Sequence, residues 1–411
     1  MIKICVSAAA FATPAIARAS QVRIVIVGGG FGGAAAAKTA KALMPEAKVI
    51  LITNQDQFWM CPGSNSVIAG LQSMESVMVT YHGLRNHGID VLIASAEAID
   101  ADKHIVRTST DDHIHYDKLI LSPGIDFAYQ GIEGLTEADS DQIPHAWKAG
   151  AQTELLHRQL TEMPLDGLFI LSIPAAPYRC PPAPAERACL IAHYLKIHKP
   201  GARILILDAK DEFPFQDHFM VAWDELYSDI IEFRSIADDG LVRGVDPATR
   251  TVFTDFDEIQ ADVLNVIPPQ TAGKIAITSG ATDSSGWCPI EMPSFKSKLL
   301  PDVYVIGDAA LVDALPKAGS TAASQARVAV THLISEMGGS KPPPANWIAN
   351  CFSLASPDYG IRLGASYIFE DDHVVRNATD FSTIDADLDS READARYTEL
   401  WLQQIKQEVW G

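Results

Sequence analysis

Short runs of aliphatic and β-branched residues recur along this chain, several of them followed by a turn and a helix-forming stretch, which is the alternation of a parallel α/β protein. The first run is Val22 to Val27. It leads into Gly28-Gly29-Gly30-Phe31-Gly32-Gly33, the alanine-rich stretch Ala34 to Leu43, and a second run from Val49 to Ile52. A strand, glycine turn, helix and strand in this order form a dinucleotide-binding unit. Gly28 serves the tight turn, Gly30 lets the backbone approach a pyrophosphate, and Gly33 allows close helix packing, with helix N-terminal amides facing the anion. The acidic residue that usually ends the second strand and holds a ribose hydroxyl is replaced by Thr53-Asn54, which leaves the ribose contact open.

Two later segments select FAD as the expected dinucleotide. Lys118 to Leu121 followed by Ser122-Pro123-Gly124 resembles the strand and turn that return the chain in two-dinucleotide flavoproteins. Pro301 to Ala309 is a strand running into Gly307-Asp308, where the aspartate of that group reaches the ribityl chain of the flavin. Between them, Leu168 to Ile173 and Arg203 to Asp208 read as strands of a second nucleotide domain. Its turn has no glycine from Pro174 to Pro182, and five prolines fall between Pro174 and Pro184. Close-approach residues and donor amides are both lost, so NAD(P)H is expected not to bind.

The predicted fold class is α/β, with two Rossmann-like dinucleotide-binding domains and a small α+β C-terminal region. The FAD domain takes residues 20–145 and 266–340, interrupted by a degenerate NAD-type domain at 146–265. The C-terminal region, 341–411, begins at Lys341-Pro342-Pro343-Pro344 and is expected to be an interface.

Composition narrows the function. The 411 residues are 47% hydrophobic and 20% charged, enough for two or three packed domains. Thirty-two Lys and Arg against 52 Asp and Glu leave a net charge of −20, which repels phosphate backbones, so nucleic acid is excluded as an expected partner. No apolar run reaches the roughly 20 residues of a transmembrane segment. Lys3, the apolar stretch Ile4 to Ala17 and Ala17-Arg18-Ala19 predict a secretory signal over 1–19 and a periplasmic location; a helix preceding the first strand is the alternative. Without Cys5 five cysteines remain, an odd number that pairing within the chain cannot consume. Metal is not expected, since no His or Cys pair has ligand spacing with a second pair to match.

Four segments carry a more specific signal: Met60-Cys61-Pro62-Gly63-Ser64-Asn65, Cys180 to Ala188, Gly286-Trp287-Cys288-Pro289, and Asn350-Cys351-Phe352-Ser353-Leu354. With the glycine turn they resemble the flavocytochrome c sulfide dehydrogenase flavoproteins, within the wider sulfide:quinone oxidoreductase and disulfide reductase superfamily, from about residue 22 to about residue 370. The resemblance implies FAD bound by a thioether to Cys61 and a redox disulfide of Cys180 and Cys351 beside the ring. It also implies oxidation of hydrosulfide to elemental sulfur or polysulfide, with electrons passed to a separate c-type cytochrome subunit.

The residues themselves leave alternatives. A bond at Cys61 would consume the odd cysteine; a free thiol is the other reading. The proline turn places Cys180 before a helix predicted from Glu186 to His198, whose positive end is expected to favour a thiolate. Cys351 lies 171 residues further on, a plain structural disulfide is possible, and Cys189 is a competing partner, although Cys189 and Cys288 read better as buried thiols. Glu186 is either a proton carrier for sulfur chemistry or an exposed carboxylate at a helix start. The stripe Tyr397, Trp401, Ile405 and Val409 is predicted to pack on the core, because acidic residues outnumber basic ones around it; packing on lipid would favour a quinone-linked enzyme. A flavin-bearing partner of a sulfur-oxidising complex, without turnover of its own, fits the same cysteines.

Overall fold

The computed structural model describes residues 21–312 and 314–411, so the predicted signal at 1–19 lies outside the described residues. The fold is mixed α/β and is organised around two sheets, a larger mixed one with a parallel centre and a smaller, fully parallel one. Strand Arg23–Val27 lies at the centre of the larger one, between Lys48–Thr53 and Lys118–Leu121 and parallel to both. Ile24, Val25 and Ile26 are fully buried, the continuous apolar run of a strand covered on both faces. Val303–Val305 joins beside Lys118–Leu121, again parallel, so one sheet collects strands from both sides of a long insertion. That insertion holds a four-stranded parallel sheet in the order Ile231–Arg234, Arg203–Asp208, Leu168–Ile173, Val263–Val266.

The helix after the glycine turn runs from Phe31 to Leu43, three residues earlier than the alanine run suggests. Helix-poor glycines are tolerated there because packing overrides propensity. A Cβ on Gly33 would sit 1.8 Å from the Gly28 carbonyl oxygen, and Gly28 itself has φ +106 with Ser122 O 2.1 Å from where its Cβ would be. The helix carrying Glu186 also starts early, at Ala183 rather than Glu186. Pro184 does not stop it, since the first turn needs no amide from that residue.

The C-terminal region is a three-stranded antiparallel sheet, Asn346–Ser356, Tyr359–Glu370 and His373–Phe381, followed by the helix Leu388–Trp410. Of the predicted stripe, Ile405 and Val409 are buried and Trp401 packs half-buried against the core, while Tyr397 stays 48% exposed; Leu402 and Trp410 of the same helix are buried as well. Trp410 reaches furthest. Its indole N–H donates to the Gly29 carbonyl at 3.2 Å, and its ring stacks on Phe58 with centroids 5.4 Å apart, tying the end of the chain to the glycine turn. Among the described residues no helix is long and apolar enough to cross a membrane.

Candidate active site

A cavity of about 580 Å³ opens where the central strands of the large sheet end. That is the position at which open parallel sheets bind ligands. Its walls come from Gly28 and Gly30, from Asn54 and Gln55 after the second strand, from Ser122 to Gly124, and from Gly307-Asp308. Gly33 lies behind the turn, against Gly28 and Ile26.

Two features fit this cavity to a dinucleotide. No side chain caps the helix that begins at Phe31, so its first amides are left for an anion. Oδ1 of Asp308 is shielded from solvent with no hydrogen-bond partner, and burial raises its carboxyl pKa; a hydroxyl-bearing chain in the cavity would give it a donor. The Thr53 hydroxyl lies 3.2 Å from the Tyr81 hydroxyl, with which it shares a hydrogen bond. Thr53, Asn54 and Gln55 are the polar residues that line the cavity there.

The other end of the cavity is built from sulfur and charge. Cys61 follows the short strand Gln57–Trp59, and its thiol donates to the Trp147 carbonyl at 3.5 Å. Cys180 is held by its own backbone: φ is +56, and its N–H donates to the Lys317 carbonyl at 2.6 Å. A left-handed cysteine is uncommon, and the turn around it fixes where the sulfur points. Cys351 comes from the C-terminal sheet and shares a side-chain hydrogen bond with Cys180, so the fold closes the 171-residue gap. All five described cysteines are free thiols, and Cys189 and Cys288 are buried away from this cavity.

One electrostatic expectation is corrected. The helix N-terminus does not lower the Cys180 thiol pKa; the bond to Cys351, burial and the charges of Glu186 and Cys61 hold it well above the ordinary cysteine value. Burial likewise raises the Glu186 carboxyl to about 7, opposed by donors from Asn65 Nδ2 at 2.7 Å and Leu354 N at 3.1 Å and by the Arg187 charge. Glu186 is therefore a wall of the cavity beside the cysteine pair, not an exposed carboxylate at a helix start.

Sequence reasoning did not single out Arg187, which is 1% exposed. Its guanidinium donates to Asn65 Oδ1, Asn265 Oδ1 and the carbonyls of His145 and Ala146, while its ring-facing side lies 4.9 Å from Trp147. An arginine directly after a candidate acid, ahead of the apolar run Ala188 to Ala192, was the available signal. Trp147 and Arg179 had none, since the Trp147 carbonyl accepts from both Cys61 and the Arg179 guanidinium only through the fold.

The second domain has filled its own nucleotide position. Asp208 ends the strand where a ribose-binding acid would stand, but Lys210 pairs with it, also donates to the Pro174 carbonyl at 3.1 Å, and lies 4.8 Å from the Tyr178 ring centroid. The space left among Tyr178, Asp208 and Phe213 is about 10 Å³, no more than one water requires. Adding NADH or NADPH to the flavin-loaded protein is thus expected to leave the flavin absorbance and the melting temperature unchanged; rapid bleaching by NADH would show a working nicotinamide site.

Comparison with known families gives a consistent answer. Residues 153–268 match the central part of the sulfide dehydrogenase (flavocytochrome c) flavoprotein chain, residues 343–410 match the flavin-binding part of flavocytochrome c sulphide dehydrogenase, and residues 22–162 match the pyridine nucleotide-disulphide oxidoreductases. A flavoprotein chain of sulfide dehydrogenase (flavocytochrome c) from Chlorobaculum thiosulfatiphilum is 49% identical over 45 residues, 11% of this chain and 94% of that sequence. The mitochondrial sulfide:quinone oxidoreductase of Mus musculus is 22% identical over 305 residues, 70% of this chain and 66% of that protein. The chain spans between about half and two thirds of the length of the first curated sulfide:quinone oxidoreductases it matches. The solved sulfide:quinone oxidoreductase of Aquifex aeolicus shares the fold with a TM-score of 0.74 at 17% identity, covering 95% of this chain and 92% of that one.

Proposed function

The chain belongs to the flavocytochrome c sulfide dehydrogenase flavoproteins of the sulfide:quinone oxidoreductase superfamily, and from that premise we propose that it oxidises hydrosulfide at Cys180 and Cys351. The observation that carries this reading is the meeting of those two thiols, from distant parts of the chain, beside Glu186 and Cys61 in the dinucleotide cavity. FAD, when bound with Cys61 as its attachment point, supplies the two-electron acceptor. Starting from a Cys180–Cys351 disulfide, hydrosulfide adds to one sulfur and displaces the other, giving a persulfide and a thiolate: one S–S bond forms as one breaks. Glu186 then takes the persulfide proton, and the displaced thiolate carries the electron pair toward the acceptor. A second hydrosulfide then attacks the outer persulfide sulfur and leaves with it as hydrogen disulfide, the first polysulfide on the way to elemental sulfur. The cysteine thiolate so freed re-forms the Cys180–Cys351 disulfide as the electron pair passes to the acceptor.

Electrons leave to a c-type cytochrome subunit on this reading, since the sequence has no CxxCH haem attachment site of its own. The signal pattern of residues 1–19 supports a periplasmic setting. A quinone acceptor is the second reading, favoured by Tyr397 and Leu400, which stay 48% and 60% exposed on the C-terminal helix. Turnover of the purified flavoprotein with sulfide, offered a cytochrome c or a short-chain quinone, separates the two. A flavoprotein that reduces neither acceptor, although its flavin is bleached by sulfide, would be a partner and not the complete enzyme.

The Glu186 carboxyl sets a pH dependence. Its proton-accepting form is the ionised one, present above about 7. At constant hydrosulfide concentration, flavin reduction should accelerate as pH rises through that value. Glu186→Gln should lose this limb and react about 100-fold more slowly or worse, within the usual range for removing a general base. Stopped-flow reduction across pH checks both; an unchanged limb in the glutamine variant would remove Glu186 from the chemistry.

A further inference from the structure

A buried polar chain links five separate segments behind the cysteine pair. Asn265 of the second domain gives both Nδ2 hydrogens to the carbonyls of Pro144 and His145, so its Oδ1 is the atom turned to Arg187, 2.9 Å away. Arg187 has only donors. It therefore turns Asn65 so that Oδ1 faces the guanidinium at 3.0 Å, and the Asn65 amide must then give its hydrogens to the Ala183 carbonyl at 3.2 Å and to Glu186 Oε2 at 2.7 Å. The other Glu186 oxygen accepts from Leu354 N. Each carboxylate oxygen is held by one donor, and the lone pairs left over are those not facing the network.

From this geometry we infer that Asn65 is a positioning residue for Glu186: it holds the carboxyl in place, stabilises its ionised form inside the protein, and leaves proton exchange to the cavity side, where the cysteine pair stands. The inference rests on the proposed role of Glu186 for its catalytic meaning, but not for its measurement. Asn65 stands four residues after Cys61, at the start of the helix Ser64–Ile68, so the same short segment carries the flavin attachment point and the donor that tunes the proton carrier. The titratable groups whose charge bears on Glu186 or its neighbours are Arg187 and Cys189 on its own helix, Cys180 on the preceding turn, Cys351 behind Cys180 on the C-terminal strand, Cys61 in the same cavity, and His145 beside Arg187, whose imidazole burial keeps neutral. Arg187 is the cation among them, and it is committed to the network.

The test is an infrared pH titration of the flavin-loaded protein without sulfide, following the protonated-carboxyl band that Glu186→Gln removes. The native midpoint is expected near 7. Asn65→Leu, which deletes the donor, should raise that midpoint by about one unit, a tenfold increase in proton affinity, and should move the pH limb of flavin reduction by sulfide by the same amount. Asn65→Asp keeps the size, pairs with Arg187 and sets a second carboxyl against Glu186; it should raise the midpoint further and serves if the leucine variant fails to fold. A midpoint within about 0.3 units of native in either folded, flavin-loaded variant overturns the inference. If sulfide fails to bleach the native flavin, the proposed function falls, while the infrared titration still decides the role of Asn65.

Discussion

Cys351→Ser protein mixed anaerobically with sulfide keeps its flavin oxidised, and Cys180→Ser protein does the same. The expected loss is complete on the time scale of native reduction, because displacement at a disulfide needs both sulfurs: one to receive hydrosulfide and one to leave. The fold should survive either change. Cys180 is fixed through its main chain, by the left-handed φ and the bond to the Lys317 carbonyl, and not through its sulfur. Cys351 lies within the antiparallel ladder opposite Leu363. A structural staple behaves differently: its removal typically costs about 2 to 5 kcal/mol and leaves chemistry elsewhere intact. Melting temperature and flavin content therefore belong beside the stopped-flow trace. A folded, flavin-loaded serine variant bleached at the native rate would make the pair a staple and place sulfide attack elsewhere.

The sequence made the scaffold readable where local rules and tertiary packing agree. Arg203 to Asp208 and Leu168 to Ile173 are strands with the boundaries read from their aliphatic runs. The FAD turn was equally plain, since only glycine fits where a Cβ would strike a carbonyl oxygen about 2 Å away. Helix starts were placed three residues late at Phe31 and Ala183 because glycine and proline signal breaks locally, whereas packing and the free first-turn amides decide the outcome. The Cys180 pKa went the other way from the helix-end argument for a related reason. A helix terminus contributes a partial charge, while Cys351, Glu186 and burial act on the sulfur at contact range. Arg187, Asn265 and Trp147 were illegible as a group: they lie 40 to 118 residues apart and become one network only when the second domain has folded.

Acid-precipitated native protein is expected to stay yellow, and its denatured mass to exceed the chain mass by one FAD, while Cys61→Ala releases all of its flavin to the supernatant. The structure makes this variant clean. The Cys61 thiol has one weak contact, the Trp147 carbonyl at 3.5 Å, and the loop conformation is set by left-handed Gly63 and by the Ser64 hydroxyl, which donates to the Cys61 carbonyl at 2.7 Å. Truncation to alanine therefore removes a sulfur and little else. The glycine turn, the uncapped helix end and the unpaired Asp308 oxygen remain, so the folded variant should still bind FAD reversibly and be yellow before precipitation. The comparison thus isolates attachment from binding. Colour lost entirely from the native pellet would leave Cys61 a free thiol and the odd cysteine without a partner; colour retained by the alanine variant would move the attachment to another side chain of the cavity.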